Sequence, residues 1–312
     1  MWDEEVDVAV IGAGIGGLAT ALATVEAGGE VLVVDPYSEV REHAPAGVLR
    51  ERVGALRRSL LPDTADFETN EYLAAVTDGV LKPVEPAVGA AVPRREARNL
   101  TSDEAYGRFV EPFFGSRLNA WASQCISSPY GLLYTSMRNW PTTSMRSAGG
   151  ESIEVFSVGS MPWADDLGEV ALRGWLTAQA KDREVEIRTN CPLERIVFEE
   201  GLIVGVVVST PDGPRAVRTR AGITFAPADQ ADDDVDGDLA PAAADRLQVC
   251  IVGRTASRYA RVELLDTEPA NPSRPTCTGS RKQLRDGLHD THRPSLDGWR
   301  CGKMYGYPPL GE

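Results

Sequence analysis

The first thirty-five residues alternate between apolar runs and a glycine-rich turn, in the order of a strand–helix–strand unit. Val6–Ile11 is rich in β-branched residues, which is typical of a buried parallel strand. The glycine turn Gly12–Gly17 follows, and the alanine-rich segment Leu18–Ala27 predicts a helix that ends at Gly28-Gly29. Val31–Val34 then predicts a second buried strand. The pattern therefore predicts a βαβ unit.

Further along the chain, the pattern predicts both helices and strands. Helices are predicted at Glu51–Leu61, Glu71–Val80, Asp103–Ala122 (interrupted near Pro112 and Gly115) and Glu169–Lys181. Strands are predicted at Val185–Arg188, Leu193–Phe198, Ile203–Ser209, Ala216–Arg220, Leu247–Gly253 and Arg261–Leu265. Residues 83–100 carry three prolines and are predicted to be a connection. The fold class is therefore predicted to be α/β, a doubly wound parallel sheet with a β-meander.

Composition narrows the range of partners and compartments. The chain has 312 residues and a formal net charge of -14, so we expect neither nucleic acid nor a membrane surface as a partner. The five cysteines are scattered and include no CxxC pair, which argues against a disulfide framework and a structural zinc site. With no signal peptide recognised before the first strand, we expect a cytoplasmic protein.

The glycine turn has the spacing of a dinucleotide-binding loop. Gly12-Ala13-Gly14-Ile15-Gly16-Gly17 matches G-x-G-x-x-G between a predicted strand and a predicted helix. In such a loop the first glycine permits the tight turn, the second lets the backbone approach a pyrophosphate, and the third lets the helix pack on the strand. The N-terminus of the helix then faces the phosphates with its free N–H groups. All six residues are predicted to contact the cofactor.

An acidic residue ends the second predicted strand. Asp35, followed by Pro36, stands where a carboxylate hydrogen-bonds the ribose hydroxyls of a dinucleotide. A carboxylate there disfavours a ribose 2′-phosphate, and hence NADP. FAD and NAD both carry a pyrophosphate and an adenosine ribose, so the loop alone leaves both open.

Two segments resemble a known flavoprotein family. VDVAVIGAGIGGLATALATVEAGGEVLVVD (Val6–Asp35) resembles the FAD-binding opening of the glutathione-reductase-like flavoproteins. CPLERIVFEEGLIVGV (Cys191–Val206) is similar to a later element of the branch that contains the fumarate reductase and succinate dehydrogenase flavoproteins and the 3-ketosteroid dehydrogenases. The resemblance implies a Rossmann-like FAD-binding domain and a backbone contact of Leu193 with adenine. No histidine lies in a recognisable attachment motif, so the FAD is expected to be non-covalent.

The order of these segments predicts a discontinuous domain organisation. Residues 1–90 and 165–226 would form the FAD-binding domain. Residues 91–164 would be an inserted segment on the substrate side, and residues 227–312 a C-terminal segment of uncertain role.

The sequence assigns no catalytic residue and predicts no metal site. Tyrosine and arginine supply protons in the resembling branch, and Tyr130, Tyr134, Arg138 and Arg146 lie in the middle region, where a substrate-covering segment would be inserted. Their position in the chain is the only argument for them, and ordinary packing of the aromatic residues is the alternative. The acidic loop Asp229–Asp238 begins like a calcium loop but lacks its final glutamate, so it is interpreted as solvated.

The functional expectation is an FAD-dependent oxidoreductase that acts on a small organic molecule. Dehydrogenation or reduction of a C–C or C–N bond is the chemistry that the resemblance implies. Two alternatives stay open: a flavin-binding subunit that needs a partner chain, and an NAD-binding dehydrogenase. A homo-oligomer is left open as well.

Overall fold

The computed structural model describes residues 1–36, 64–78, 80, 91–106, 115–136, 142–163, 168–227 and 245–269. Its helices are α1 (Ile15–Glu26), α2 (Phe67–Thr77), α3 (Ser102–Tyr106), α4 (Gly115–Ile126) and α5 (Glu169–Asp182). Its strands are β1 (Glu4–Ile11), β2 (Val31–Val34), β3 (Arg94–Arg95), β4 (Ala97–Asn99), β5 (Gly131–Tyr134), β6 (Thr143–Ser147), β7 (Ser152–Trp163), β8 (Ile187–Arg188), β9 (Leu193–Glu199), β10 (Leu202–Thr210), β11 (Gly213–Phe225), β12 (Asp245–Gly253) and β13 (Tyr259–Leu265).

The parallel part of the sheet contains the predicted βαβ unit. β1 lies between β2 and the second half of β11, and β8 pairs with β2 on the far side, all in parallel. Connections between parallel neighbours need a crossover, and α1 supplies it between β1 and β2. This arrangement confirms the Rossmann-like α/β fold predicted from the sequence.

The predicted meander is also present. β9, β10 and the first half of β11 pair in antiparallel order. β11 then changes partner, because its residues from Val217 onward pair with β1 in parallel. A bulge accompanies this change: Val6 pairs with Thr219, whereas Val8 pairs with Gly222, whose φ of 137° suits glycine. The strand predicted at Ala216–Arg220 is thus the middle of one longer strand.

Beyond β11 the sheet continues with antiparallel strands, except where the short β3 pairs with β13 in parallel. The order from that side is β4-β6-β7-β12-β13-β5-β11-β1-β2-β8. The strands β12 and β13, from residues 245–265, therefore lie between β7 and β5, which both come from residues 91–163. The division into an FAD-binding domain, an inserted segment and a C-terminal segment stays a prediction.

Helices cover both faces of the sheet. On one face, Ile15 and Leu22 of α1 share a buried cluster with Leu172 and Leu176 of α5. On the other face, Leu73 of α2 and Trp121 of α4 join a second cluster with Ala9, Ile11 and Leu32 of the parallel strands. Apolar burial on both faces explains why the Val8–Ile11 part of β1 and all of β2 are continuous apolar runs and do not alternate with polar residues.

Several predicted element boundaries were wrong. The stretch 83–100, predicted to be a connection, contains β3 and β4. β3 forms because Arg94 and Arg95 pair with Leu264 and Leu265, and β4 forms because it pairs with β6, long-range contacts that no local pattern reveals. The helix predicted at Asp103–Ala122 with an interruption near Pro112 and Gly115 corresponds to the described helices α3 and α4, of which α4 begins at Gly115 and extends to Ile126. The helix predicted at Glu51–Leu61 lies outside the described residues.

Candidate functional site

The glycine loop lies between the ends of β2 and β11. Gly12 has a φ of 103°, in the region that favours glycine, and its N–H donates to the Val34 carbonyl at 2.8 Å. The N–H of Gly14 donates to the Pro227 carbonyl at 3.2 Å, and that of Ala226 donates to the Ile11 carbonyl at 2.9 Å. The loop is thus fixed from both sides at the carboxyl edge of the parallel strands, where open α/β sheets bind ligands.

Two glycines allow α1 to pack closely on its surroundings. A Cβ atom at Gly17 would overlap the carbonyl oxygen of Gly12. A Cβ atom at Gly16 would lie 2.9 Å from both the Gly131 carbonyl oxygen and Leu132 Cδ2. The structure therefore gives Gly17 the packing role predicted for the third glycine, and it adds a packing role for Gly16 against β5.

The N-terminus of α1 suits a pyrophosphate. Gly14 is the N-cap and has no side chain that could cap the helix, so no side-chain cap is present there among the described residues. The first turn also contains no acidic residue, so the positive end of the helix dipole is not neutralised there. Helix ends with free N–H groups bind anions, and within the described part of the chain the N–H groups of Ile15 and Gly16 have no hydrogen-bond partner. These residues fit the pyrophosphate of a dinucleotide.

Asp35 is fixed directly beside the loop. Its side chain is buried, and Oδ2 accepts a hydrogen bond from the Ala13 N–H at 2.9 Å. Its backbone N–H donates to the Arg188 carbonyl, and its carbonyl accepts from the Cys191 N–H, both at 2.8 Å. These bonds connect the loop, the end of β2 and the segment that leads to β9. The carboxylate predicted to bind ribose therefore lies next to the residues predicted to bind the pyrophosphate.

Pro36 and Leu193 are both connected to Asp35 through the backbone, Pro36 as the next residue and Leu193 through the hydrogen bond between Cys191 and Asp35. Pro36 follows Asp35 directly, and the buried Leu193 begins β9 two residues after Cys191, where it pairs with Val208. The resemblance implies that the Leu193 backbone contacts adenine. This contact stays a prediction.

The structure does not bring the catalytic candidates together. Tyr130 is fully buried just before β5, and burial, together with Glu169, raises the pKa of its hydroxyl. Burial also raises the pKa of Tyr134, at the end of β5. Arg146 lies on β6, which three strands separate from β5, and its guanidinium donates to the Gly150 carbonyl at 3.1 Å. Arg138 lies outside the described residues.

A small cavity of about 90 Å³ lies among β5, β7, β12 and β13. Buried apolar side chains form much of its wall: Tyr134, Phe156, Ile251 and Ala260. Glu154 and Arg254 are its charged residues. Sequence analysis named neither of them. Neither has a sequence signal of its own, because strand pairing alone brings β7 beside β12.

Within the described part of the chain, no cluster of three or more histidine, cysteine or acidic residues has the arrangement of a metal site. None of the described helices is long and apolar enough to cross a membrane.

The comparison with protein families gives one result. Residues 7–46, which contain β1, the glycine loop, α1 and Asp35, match the model of a family described as an FAD binding domain. FAD is therefore the cofactor of this loop. The search of curated proteins finds no match.

The solved structures found by the comparison are distant in sequence and longer than this chain. The 3-ketosteroid-Δ4-(5α)-dehydrogenase of Rhodococcus jostii RHA1 is 18% identical over 72% of this chain and 46% of its own, with a TM-score of 0.29. A flavocytochrome c3 fumarate reductase is 16% identical, and the match covers 70% of this chain and 33% of the reductase, with a TM-score of 0.28. Aklavinone-11 hydroxylase, solved with FAD and aklavinone, is 22% identical, and the match covers 70% of this chain and 32% of the hydroxylase, with a TM-score of 0.27. The chain thus spans less than half the length of each.

Proposed function

We propose that this chain is an FAD-dependent oxidoreductase that dehydrogenates or reduces a C–C or C–N bond of a small organic molecule. The observation that carries the proposal is the Asp35 carboxylate hydrogen-bonded to the Ala13 N–H, beside an uncapped helix N-terminus. This arrangement places one acceptor group and several donor groups where a dinucleotide presents its ribose hydroxyls and its pyrophosphate.

The residues of this chain would bind and orient the cofactor. N–H groups at the start of α1 would hold the pyrophosphate, and Asp35 would accept from the ribose hydroxyls. The tight contact of Gly17 with Gly12 keeps the helix end at a fixed distance from the strand edge. When bound, FAD supplies the hydride chemistry, while the protein supplies position and electrostatics. Tyr130, Tyr134, Arg138 and Arg146 stay candidates for proton transfer.

The first experiment is an absorption spectrum of the purified protein, followed by denaturation and chromatography of the released cofactor. Flavin bands and released FAD are expected. Gly14→Val should abolish cofactor retention, because a branched side chain would block the approach of the pyrophosphate to the backbone. Gly149→Val is the matched control, since its Cβ atom would have only Ser147 Oγ within 4 Å, at 3.8 Å. Unchanged FAD content in Gly14→Val would contradict the loop assignment.

Asp35→Ala tests the ribose contact separately. Loss of a charged hydrogen bond costs about 1.5–3 kcal/mol, so FAD affinity should fall by a factor of roughly 10 to 150. Isothermal titration of the apoprotein with FAD measures this change. An affinity within a factor of two of the wild type would exclude a role for the carboxylate in binding.

Two alternatives have distinct results. A protein that binds FAD but shows no turnover until a partner chain is added would be a flavin-binding subunit, and gel filtration would reveal the complex. A colourless protein that takes up NADH and not FAD would be an NAD-binding dehydrogenase.

A further inference from the structure

We propose that Gly131 and Leu132, at the start of β5, are positioning residues for FAD that act through the first turn of α1. A Cβ atom at Gly16, in that turn, would lie 2.9 Å from both the Gly131 carbonyl oxygen and Leu132 Cδ2. The backbone of α1 therefore packs on β5 with too little space for a methyl group between them. The proposal rests on the assignment of FAD to the glycine loop.

Helix α4 blocks β5 on the opposite face of the sheet. A Cβ atom at Gly131 would overlap the carbonyl oxygen of Cys125, in the last turn of α4. Two hydrogen-bonded turns connect the helix to the strand, since the Ser128 N–H donates to the Cys125 carbonyl at 3.2 Å and the Gly131 N–H donates to the Ser128 carbonyl at 3.1 Å. The start of β5 is thus held between the end of α4 and the beginning of α1.

Neighbouring strands hold β5 within the sheet. The Tyr130 carbonyl accepts from the Val262 N–H of β13 at 2.8 Å, and Leu133 pairs with Phe225 of β11. The first turn of α1, which packs on this strand, carries the N–H groups that would hold the pyrophosphate. Hydrogen bonds to a charged acceptor depend on distance and angle, so a displaced helix start would bind FAD more weakly.

Two neighbouring leucines give a matched test of this role. Leu132 and Leu133 are 0% and 1% exposed, but Leu132 shares a buried cluster with Ile15 of α1, whereas Leu133 shares one with Trp121 of α4. Leu132→Ala and Leu133→Ala should lower the urea midpoint of the apoprotein by similar amounts, because each removes the same buried side chain.

Isothermal titration of the same apoproteins with FAD separates the two variants. Leu132→Ala leaves the first turn of α1 without its support, so the dissociation constant of FAD should rise about tenfold, as for the loss of one charged hydrogen bond. Leu133→Ala should stay within a factor of about two of the wild type. An effect on stability alone would change FAD binding equally in both variants.

A second pair of variants displaces β5 instead of truncating it. Gly131→Ala places a methyl group against α4 and pushes the strand toward α1, so FAD affinity should again fall about tenfold. Gly205→Ala is the control, because its Cβ atom would equally overlap a backbone carbonyl oxygen, that of Val217. Val217 pairs with Glu4, at the end of β1 opposite the glycine loop, so FAD affinity should stay within about twofold.

Each outcome either supports or overturns the proposal. Equal FAD affinity of Leu132→Ala and Leu133→Ala, or a loss of affinity that follows the loss of stability in all four variants, would overturn it. If Gly131→Ala fails to fold, the leucine pair decides, since those variants introduce no clash. A wild-type protein that binds no FAD would reject the cofactor assignment as well, whereas a wild type that binds FAD no more tightly than Leu132→Ala rejects the positioning role alone.

Discussion

Replacement of Gly17 by alanine tests whether the glycine loop depends on the close packing of α1 against β1. The added Cβ atom would overlap the backbone carbonyl oxygen of Gly12 and would lie 3.2 Å from Val10 Cγ1. The carbonyl cannot rotate away freely, because the same residue donates its N–H to the Val34 carbonyl at the end of β2. Helix α1 would therefore have to move away from the strand.

Two opposing contributions determine how much Gly17→Ala changes the free energy of unfolding. Overpacking of a well-packed region costs about 1–3 kcal/mol, and a backbone obstacle places this case near 3 kcal/mol. Alanine in a helix is favoured over glycine by about 0.8–1.0 kcal/mol, which offsets part of that cost. The free energy of unfolding is thus expected to fall by about 2 kcal/mol, the difference of these two figures.

Gly174→Ala is the matched control, since it makes the same substitution within a helix, α5. Among the described residues, a Cβ atom at Gly174 would have no neighbour within 4 Å apart from its own helix and adjacent residues. Only the helix propensity then changes, so this variant should gain about 0.8–1.0 kcal/mol at most. The same chemical change is thus expected to destabilise at one site and to stabilise at the other.

Urea unfolding, followed by circular dichroism, measures both variants with and without excess FAD. Gly17→Ala should also retain less FAD, because displacement of α1 moves the helix N-terminus away from the pyrophosphate position. If Gly17→Ala unfolds at the same urea concentration as the wild type and retains a full equivalent of FAD, close packing of this helix is not required and the reasoning is refuted.

Three further predictions concern the rest of the fold. Glu263, with 1% of its side chain exposed, accepts hydrogen bonds from Arg95 and Arg261. Glu263→Gln should therefore lower the free energy of unfolding by about 3–5 kcal/mol. A loss below about 1 kcal/mol in urea unfolding would contradict this expectation. Asp66 caps α2 by accepting from the Thr69 N–H at 2.9 Å, so Asp66→Ala should cost about 1 kcal/mol while Asp66→Asn should recover most of it. The Arg220 guanidinium lowers the pKa of Asp7 from its ordinary value of 3.8, so this pair stabilises the fold above pH 3.8. The difference in the free energy of unfolding between the wild type and Arg220→Gln should therefore shrink as the pH falls below 3.8.

The sequence by itself determined the cofactor-binding unit of this protein. Strand β1, the glycine loop, helix α1, strand β2 and Asp35 follow one another within thirty-five residues, and each is encoded by a local pattern of period, glycine or charge. The meander was also predictable, since its strands are joined by short turns. Local patterns suffice here because the interacting residues are close along the chain.

Only the tertiary structure decided the remainder of the sheet and the pocket within it. β3 forms because it pairs with β13, and β7 lies beside β12, although more than eighty residues separate their partners. The sequence contains no signal for such pairings, because a strand's own pattern states which residues are apolar but not which strand will be its neighbour. For the same reason Glu154 and Arg254 were not recognised as lining one pocket, and Arg146 was placed with Tyr134 although three strands separate them.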